Sequence, residues 1–429
     1  MGPSKHMWPK PINTLGRVRD ALEKSTCQHA SLFLSLMDSG KNHSLKCNPP
    51  VRIVFGPEAR DFPSLGRKIS PFYGLDLPAL ETLRELLVDD IQVIRHELAQ
   101  NGSKISQSSE TSIDLADDEV TLLDGLVDAD KEIECEPWSF PSQSLDRICS
   151  RGGNDFNPEI WQSTIEAAIL PRDKLIDLHY SNEGATITTL VSGETAWYIW
   201  PPTERNLNVL QKWYEDIASG SHNIKDTDVA MELEGGVILV QTAGEALRIP
   251  PYCPILCLPL KTSLLATYRS VASNQVIDML NKLPLWLARF RTENDGGFEK
   301  RELAATILQD LKAILEDALE SAELKNLAYP SSGYGPIHSL MRGWDRVKLD
   351  MAILLDPTEG EQLVTLWSRL LKNVKGRDCC ICGDRIIDKI NNAQRHFESK
   401  HWVSEVDKTV AGEHDEEARI AGSPTFRPN

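Results

Sequence analysis

Apolar residues recur at helical spacing through residues 15–40 and 78–100. In the second stretch Leu80, Leu83, Leu86, Leu87, Ile91, Ile94 and Leu98 share one side of a 3.6-residue period, which predicts an amphipathic helix. Between the two, VRIVF (51–55) is a β-branched run bounded by Pro50 and Gly56 and predicts a short strand. The pattern changes from 137 to 272. KLIDLHYS (174–181), ATITTLV (185–191), TAWYIW (195–200), GVILVQT (236–242), ALRIPP (246–251) and SLLATYRSV (263–271) predict strands separated by turn residues. One helix is expected among them, from Thr203 to about Ser219. Pro201-Pro202 stops the strand before it, and Thr203 with Glu204 supplies a cap and a first-turn acid. Its Leu207, Val209, Leu210 and Trp213 should pack on the strands. Short strands around one inserted helix predict a jelly-roll-like sandwich in an α+β chain.

Helical spacing returns over 274–375. Leu303, Ile307, Leu311, Ile314, Leu315 and Leu319 line one side of 302–325, and 361–374 repeats the pattern. The final residues, from Val403, lose periodicity and predict a disordered tail. The expected division is a helical region with a short strand (1–109), an acidic linker or insert (110–136), a β domain (137–272), a helical region (273–375), a small metal module (376–402) and the tail (403–429). The acidic segment is read as solvated because Glu110 to Glu136 holds eleven acidic residues and one base, Lys131.

At 429 residues the chain has room for two to four compact units. Its 46 Lys and Arg against 63 Asp and Glu leave a net charge of −17, a field that repels polyphosphate over most of the surface. Any nucleic-acid contact must therefore come from a locally basic module. The N-terminal residues carry no apolar core of a secretory signal, and Pro or charge interrupts every candidate membrane span. Nine thinly spread cysteines predict a reducing compartment, cytosol or nucleus.

The strongest motif lies near the C-terminus. Cys379-x2-Cys382 and His396-x4-His401, thirteen residues apart, supply two thiolates from a tight turn and two imidazoles from one helix face. That is the donor set and spacing of a tetrahedral zinc finger, and one structural zinc is expected. Ile386 stands at the usual aromatic position and Ala393 at the usual leucine, so its own core is thin. Cys380 is expected to be a bystander. Residues 372–401 carry seven basic and four acidic side chains. Docked as nucleic-acid fingers dock, the module would present Lys389, Asn392 and Arg395 as reading positions, for only about three base pairs. A second grouping, Cys27, His29, His43 and Cys47, matches no familiar metal spacing and is expected to serve helix packing.

Residues 179–213 (HYSNEGATITTLVSGETAWYIWPPTERNLNVLQKW) and 237–271 (VILVQTAGEALRIPPYCPILCLPLKTSLLATYRSV) resemble the Jumonji-C domain, most nearly the branch of the PHD-finger-type lysine demethylases. The WPPTERNL segment and the Gly-Glu-Ala-x-x-Ile-Pro-Pro turn carry the likeness. It implies a double-stranded β-helix of the cupin type. It also implies an Fe(II) site made by an H-x-D/E pair and a distal His, with a Lys for 2-oxoglutarate. Position by position, the first iron ligand matches His179, the acidic partner falls on Ser181, the distal His on Ile255 and the oxoglutarate Lys on Thr195. One ligand of three remains. Asp177, on the same strand face as His179, and Cys253 with Cys257, flanking Ile255, are substitutes outside the family's geometry.

No G-x-S-x-G elbow, phosphate loop or H-E-x-x-H motif offers another chemistry. The expected protein is therefore a catalytically silent Jumonji-C-like binder or scaffold. The resemblance implies a nuclear location, otherwise cytoplasm, and a protein partner such as chromatin or a histone. Iron and 2-oxoglutarate are not expected to bind. Two rival readings are an active Fe(II)/2-oxoglutarate hydroxylase or demethylase with an unusual ligand set, and a nucleic-acid-binding zinc-finger protein.

Overall fold

The computed structural model describes residues 14–25, 27–38, 79–102, 115–128, 133–150, 160–162, 166–181, 185–220, 225–243, 246–272, 276–292, 297–321, 324 and 326–403. The expected strand at 51–55 and the tail from 404 lie outside them. Two compact units form: Met1–Leu207 with Asp226–Val271, and Asn208–Lys225 with Ala272–Asn429. Among the described residues no helix is long and apolar enough to cross a membrane.

The first unit opens with four helices, α1 (Thr14–Lys24), α2 (Ala30–Asp38), α3 (Leu80–Gly102) and α4 (Asp117–Val127). β1 (Trp138–Pro141), α5 (Gln143–Ser150), β2 (Ile160–Gln162), β3 (Glu166–Leu170), β4 (Ile176–Tyr180) and β5 (Ala185–Ile199) follow. After α6 (Glu204–Ala218), within which the division falls, come α7 (Asp226–Glu232), β6 (Val237–Thr242), β7 (Ala246–Ile249) and β8 (Pro254–Ala272).

The strands make one sheet in the order β1-β3-β8-β5-β6, with β2 and β4 also on β8 and β7 on β5. The pairings of β1, β3, β4, β6 and β7, and that of β5 with β8, are antiparallel. β5 and β8 run along each other, and each changes its other partner midway. β5 pairs β7 through Thr186–Thr189 and β6 through Glu194–Ile199. β8 pairs β4 near its start and β3 through Ser263–Thr267. The register of β5 on β8 shifts between Leu190 and Thr195. Gly193 sits there at φ 91°, and a Cβ on it would come within 2.5 Å of Thr262 O, so only glycine fits. The segment read as a turn between two strands is thus a bulge inside one long strand.

Side chains alternate between the two faces of this sheet. On one, Leu190, Trp197, Ile199, Leu239, Leu247, Ile249, Ile255 and Leu265 form a buried cluster. On the other, Ile169, Ile187, Val191 and Leu264 meet Leu83, Leu87 and Ile91 of α3 and Leu122, Leu123 and Leu126 of α4. The acidic stretch is therefore not a solvated insert at these residues. Asp117, Asp118 and Asp124 stay exposed and Glu119 pairs with Arg95 of α3, while the leucines of the same helix close the core. Asp90 of α3 fixes α5 in turn, accepting from Ser142 Oγ (2.6 Å), Ser144 Oγ (2.8 Å) and Ser144 N (3.1 Å). The single helix expected over 15–40 is two, α1 and α2, with Ser25 Oγ accepting from Cys27 N in the break. Phe33 of α2 packs edge-on to Tyr198, which stacks on Trp200.

The α6 side chains Leu207, Leu210, Trp213 and Tyr214 are buried and Val209 is half-buried. Asn206 Nδ2 donates to Pro201 O (2.9 Å) and Glu234 O (3.0 Å), while its Oδ1 accepts from Glu234 N (3.1 Å).

The second unit is helical: α8 (Val276–Leu280), α9 (Leu283–Phe290), α10 (Phe298–Glu320), α11 (Pro336–Leu354), α12 (Pro357–Asn373) and α13 (Lys389–Lys400). α12 begins at a capping box. Asp356 Oδ1 accepts from Glu359 N, Glu359 Oε2 accepts from Asp356 N, and Pro357 takes the first position. Leu303, Ile307, Leu311 and Leu315 of α10, Leu340, Trp344, Val347 and Met351 of α11, and Leu363, Trp367, Leu370 and Leu371 of α12 are buried. Their spacing of three and four residues puts each set on one helix face.

Candidate metal centre and the apolar sheet core

Cys379 and Cys382 sit on a tight turn. Gly383 N donates to Cys379 O (2.9 Å) and Cys379 N to Asp384 O (2.8 Å), with Gly383 at φ 81°. Ile381 N and Asp384 N each point at a ligand sulfur, at 3.4 Å from Cys379 Sγ and Cys382 Sγ respectively. Such donors favour thiolate. α13 carries His396, and His401 directly follows it, its N–H donating to Phe397 O at 2.8 Å.

The four ligand atoms lie within 4.8 Å of one another. His401 Nε2 is 3.4 Å from Cys379 Sγ, and His396 Nε2 is 3.6 Å from Cys382 Sγ. Bonds of about 2.3 Å to sulfur and about 2.0 Å to nitrogen put neighbouring S and N corners of a tetrahedron about 3.5 Å apart. The four residues can therefore hold a metal ion. Burial pushes the Cys379 thiol up and the Cys382 thiol to about 12, and it lowers His396. A buried thiolate at Cys379 beside a half-buried one at Cys382 needs a cation next to it. Cys380 is buried, pushed to about 12 by that burial, and stands outside the four-ligand group.

Of the reading set expected on α13, one position is corrected, Lys389. Lys389 is buried and its Nζ donates to Val374 O (3.2 Å), Gly376 O (3.3 Å) and Asp378 O (3.5 Å), using all three ammonium protons inside the fold. Asn392 Nδ2 donates to Ile387 O at 2.7 Å. Arg395 alone of the three is exposed. Ile387 and Ile390 stand beside these positions, 80% and 73% exposed.

The thin core expected of the module is completed from outside it. Phe397, fully buried between the two histidines in sequence, packs on Trp344 and Trp367, and Trp402 stacks on Trp344. Asp345 is a further member that the sequence reading missed: its Oδ1 lies 2.9 Å from His401 Nδ1. No spacing rule links a residue 56 positions away on another helix, so no sequence signal could have found it.

In the sheet, His179 of β4 stands opposite Ile255 of β8. His179 Nδ1 donates to Asp177 O at 2.7 Å. Ser181 Oγ donates to Pro250 O (2.6 Å) and accepts from Cys253 N (2.9 Å), closing the turn onto β4. Ile255 belongs to the apolar cluster, with Cys253 and Cys257 beside it. Burial holds both of those thiols well above their usual range, so they are neutral. Thr195 is buried and its Oγ1 donates to Ser263 Oγ at 3.0 Å. Among the described residues no group of three or more His, Cys, Asp or Glu donors forms at His179; Cys253 and Cys257 are core side chains, and Asp177 is exposed.

Of the N-terminal grouping, Cys27 Sγ donates to Asp173 O at 3.4 Å, and His29 N points at that sulfur. His43 and Cys47 lie outside the described residues. No protein-family model matches the chain, and no curated protein matches it.

Proposed function

We propose that this chain is a catalytically silent, Jumonji-C-like binding or scaffold protein of the nucleus, whose C-terminal finger holds one structural zinc. It works through a protein partner in a chromatin or regulatory complex. The observation that carries the silent reading is the pairing of His179 with Ile255. In the resembled family these positions carry two of three iron ligands, and here one imidazole faces a core isoleucine. The third position, Ser181, engages its hydroxyl with two backbone groups and brings no negative charge. Fe(II) needs two imidazoles and a carboxylate with open positions left for cosubstrate and oxygen. A double-stranded β-helix is supported by β5 and β8, which lie side by side and each change partners midway, at Gly193 in β5.

Zinc is favoured by the donor set. Two thiolates and two imidazoles suit this borderline-soft ion, and four protein ligands leave no open position for catalysis. Bound there, it supplies folding free energy and a cross-link between the turn and α13. Protein binding is favoured over base reading because Lys389 is withdrawn and the neighbouring surface offers Ile387 and Ile390.

Metal analysis of the purified full chain tests both parts. About one zinc per chain, lost on Cys382→Ser, and no retained iron is the expected result. Stoichiometric iron alongside zinc overturns the silent reading; a zinc-free protein, or full zinc in Cys382→Ser, overturns the finger.

A further inference from the structure

We infer that Asp345 is a positioning residue for the metal. It holds His401 in the tautomer and orientation that present Nε2 to the ion, and so joins metal binding to the folding of α11 and α12. The inference rests on the zinc reading above. The carboxylate of Asp345 can only accept, so His401 Nδ1 carries the proton and Nε2, 3.4 Å from Cys379 Sγ, carries the lone pair. A carboxylate behind a ligand imidazole fixes the ring and raises its basicity.

The hold on His401 is not one bond. Trp344 Nε1 donates to His401 O at 2.7 Å, and Lys348 Nζ donates to Lys400 O at 2.7 Å and to Asp345 Oδ1 at 3.2 Å. Residues 344, 345 and 348 occupy one turn of α11, which grips both residues 400 and 401. From α12, Gly360 leaves room for Trp402: a Cβ there would stand 3.1 Å from the indole. Lys389 caps backbone carbonyls just past the end of α12. A small module gets its folding free energy from its metal. Here the module's core side chain, Phe397, is equally a core side chain of the helices. Loss of the ion frees His401 and removes the clamp from both helices.

The test uses the full chain, stripped of metal by a chelator and titrated with zinc against a competing chromophoric chelator. Asp345→Asn keeps shape and acceptor but loses the charge. It should bind zinc about 10–100-fold more weakly while the metal-free chain melts at the wild-type midpoint. Unchanged zinc affinity with a lowered metal-free midpoint is the signature of a merely structural Asp345 and overturns the inference. A second measurement needs no variant. Removing zinc from the wild type should speed amide exchange about tenfold or more in 336–354 and 357–373 as well as in 379–401. Acceleration confined to 379–401 overturns the coupling. A wild type that takes up no zinc overturns the zinc reading itself, and the inference with it.

Discussion

Phe397 stacks on Trp367 of α12, with ring centroids 5.6 Å apart and planes 19° from parallel. Both side chains are fully buried, and Trp344 touches each of them. One aromatic cluster thus serves the helices and the metal module together. Trp367→Ala should cost about 3–5 kcal/mol of stability and also weaken zinc binding. Thermal melting with a parallel zinc titration checks it; lost stability with unchanged zinc affinity would separate the two.

Metal binding should release protons. Burial holds Cys379 above its ordinary range and Cys382 at about 12, so both are thiols near pH 7 without metal, whereas His396, lowered by burial, is already neutral. Zinc takes thiolates, so about two protons leave per ion near pH 7. Affinity then falls as pH falls, by about a hundredfold per unit. Titration calorimetry in buffers of different ionisation enthalpy counts the protons, and a pH-independent affinity contradicts the prediction.

The sheet core gives a gain-of-binding prediction. Wild-type chain supplied anaerobically with Fe(II) and 2-oxoglutarate should show no charge-transfer absorption, and admitting oxygen should yield no succinate. Ser181→Asp with Ile255→His puts an imidazole opposite His179 and a carboxylate two residues on, and iron affinity should rise. Turnover should stay weak, because Thr195 cannot pair with a carboxylate as lysine does. The double variant should lose about 2–5 kcal/mol, since Ile255 leaves an apolar cluster and Ser181 leaves two backbone bonds. Unimproved iron binding in a folded double variant would discredit the proposed β-helix register.

Asp90→Ala should destabilise the first unit by about 2–4 kcal/mol, because Ser142 and Ser144 lose a buried acceptor at the start of α5. Urea melting of the variant measures the loss, and a midpoint equal to wild type would show that water replaces the carboxylate.

Local patterns were legible where one residue type implies one geometry. The Cys-x2-Cys turn and His-x4-His helix end brought four donors together as their spacing required, because a turn and a helix are short-range structures. α6 was readable from Pro201-Pro202 and its apolar face, and α10 and α12 from their three- and four-residue spacing. The acidic stretch misled because its charge count hides three leucines on one side of α4. The bulge at Gly193 misled because glycine marks turns and bulges alike.

Sequence alone, then, specifies the local elements, the Cys/His donor set and which residues stand at 179, 181, 195 and 255. Tertiary structure alone decided what surrounds them. It set Ile255 across from His179, turned Lys389 inward onto three carbonyls, and brought Asp345, Trp344 and Trp367 to the metal module. Apart from those of Lys389, these contacts join residues tens of positions apart, made when separate apolar faces are buried together. No periodicity or spacing along one segment encodes which distant face will be its partner.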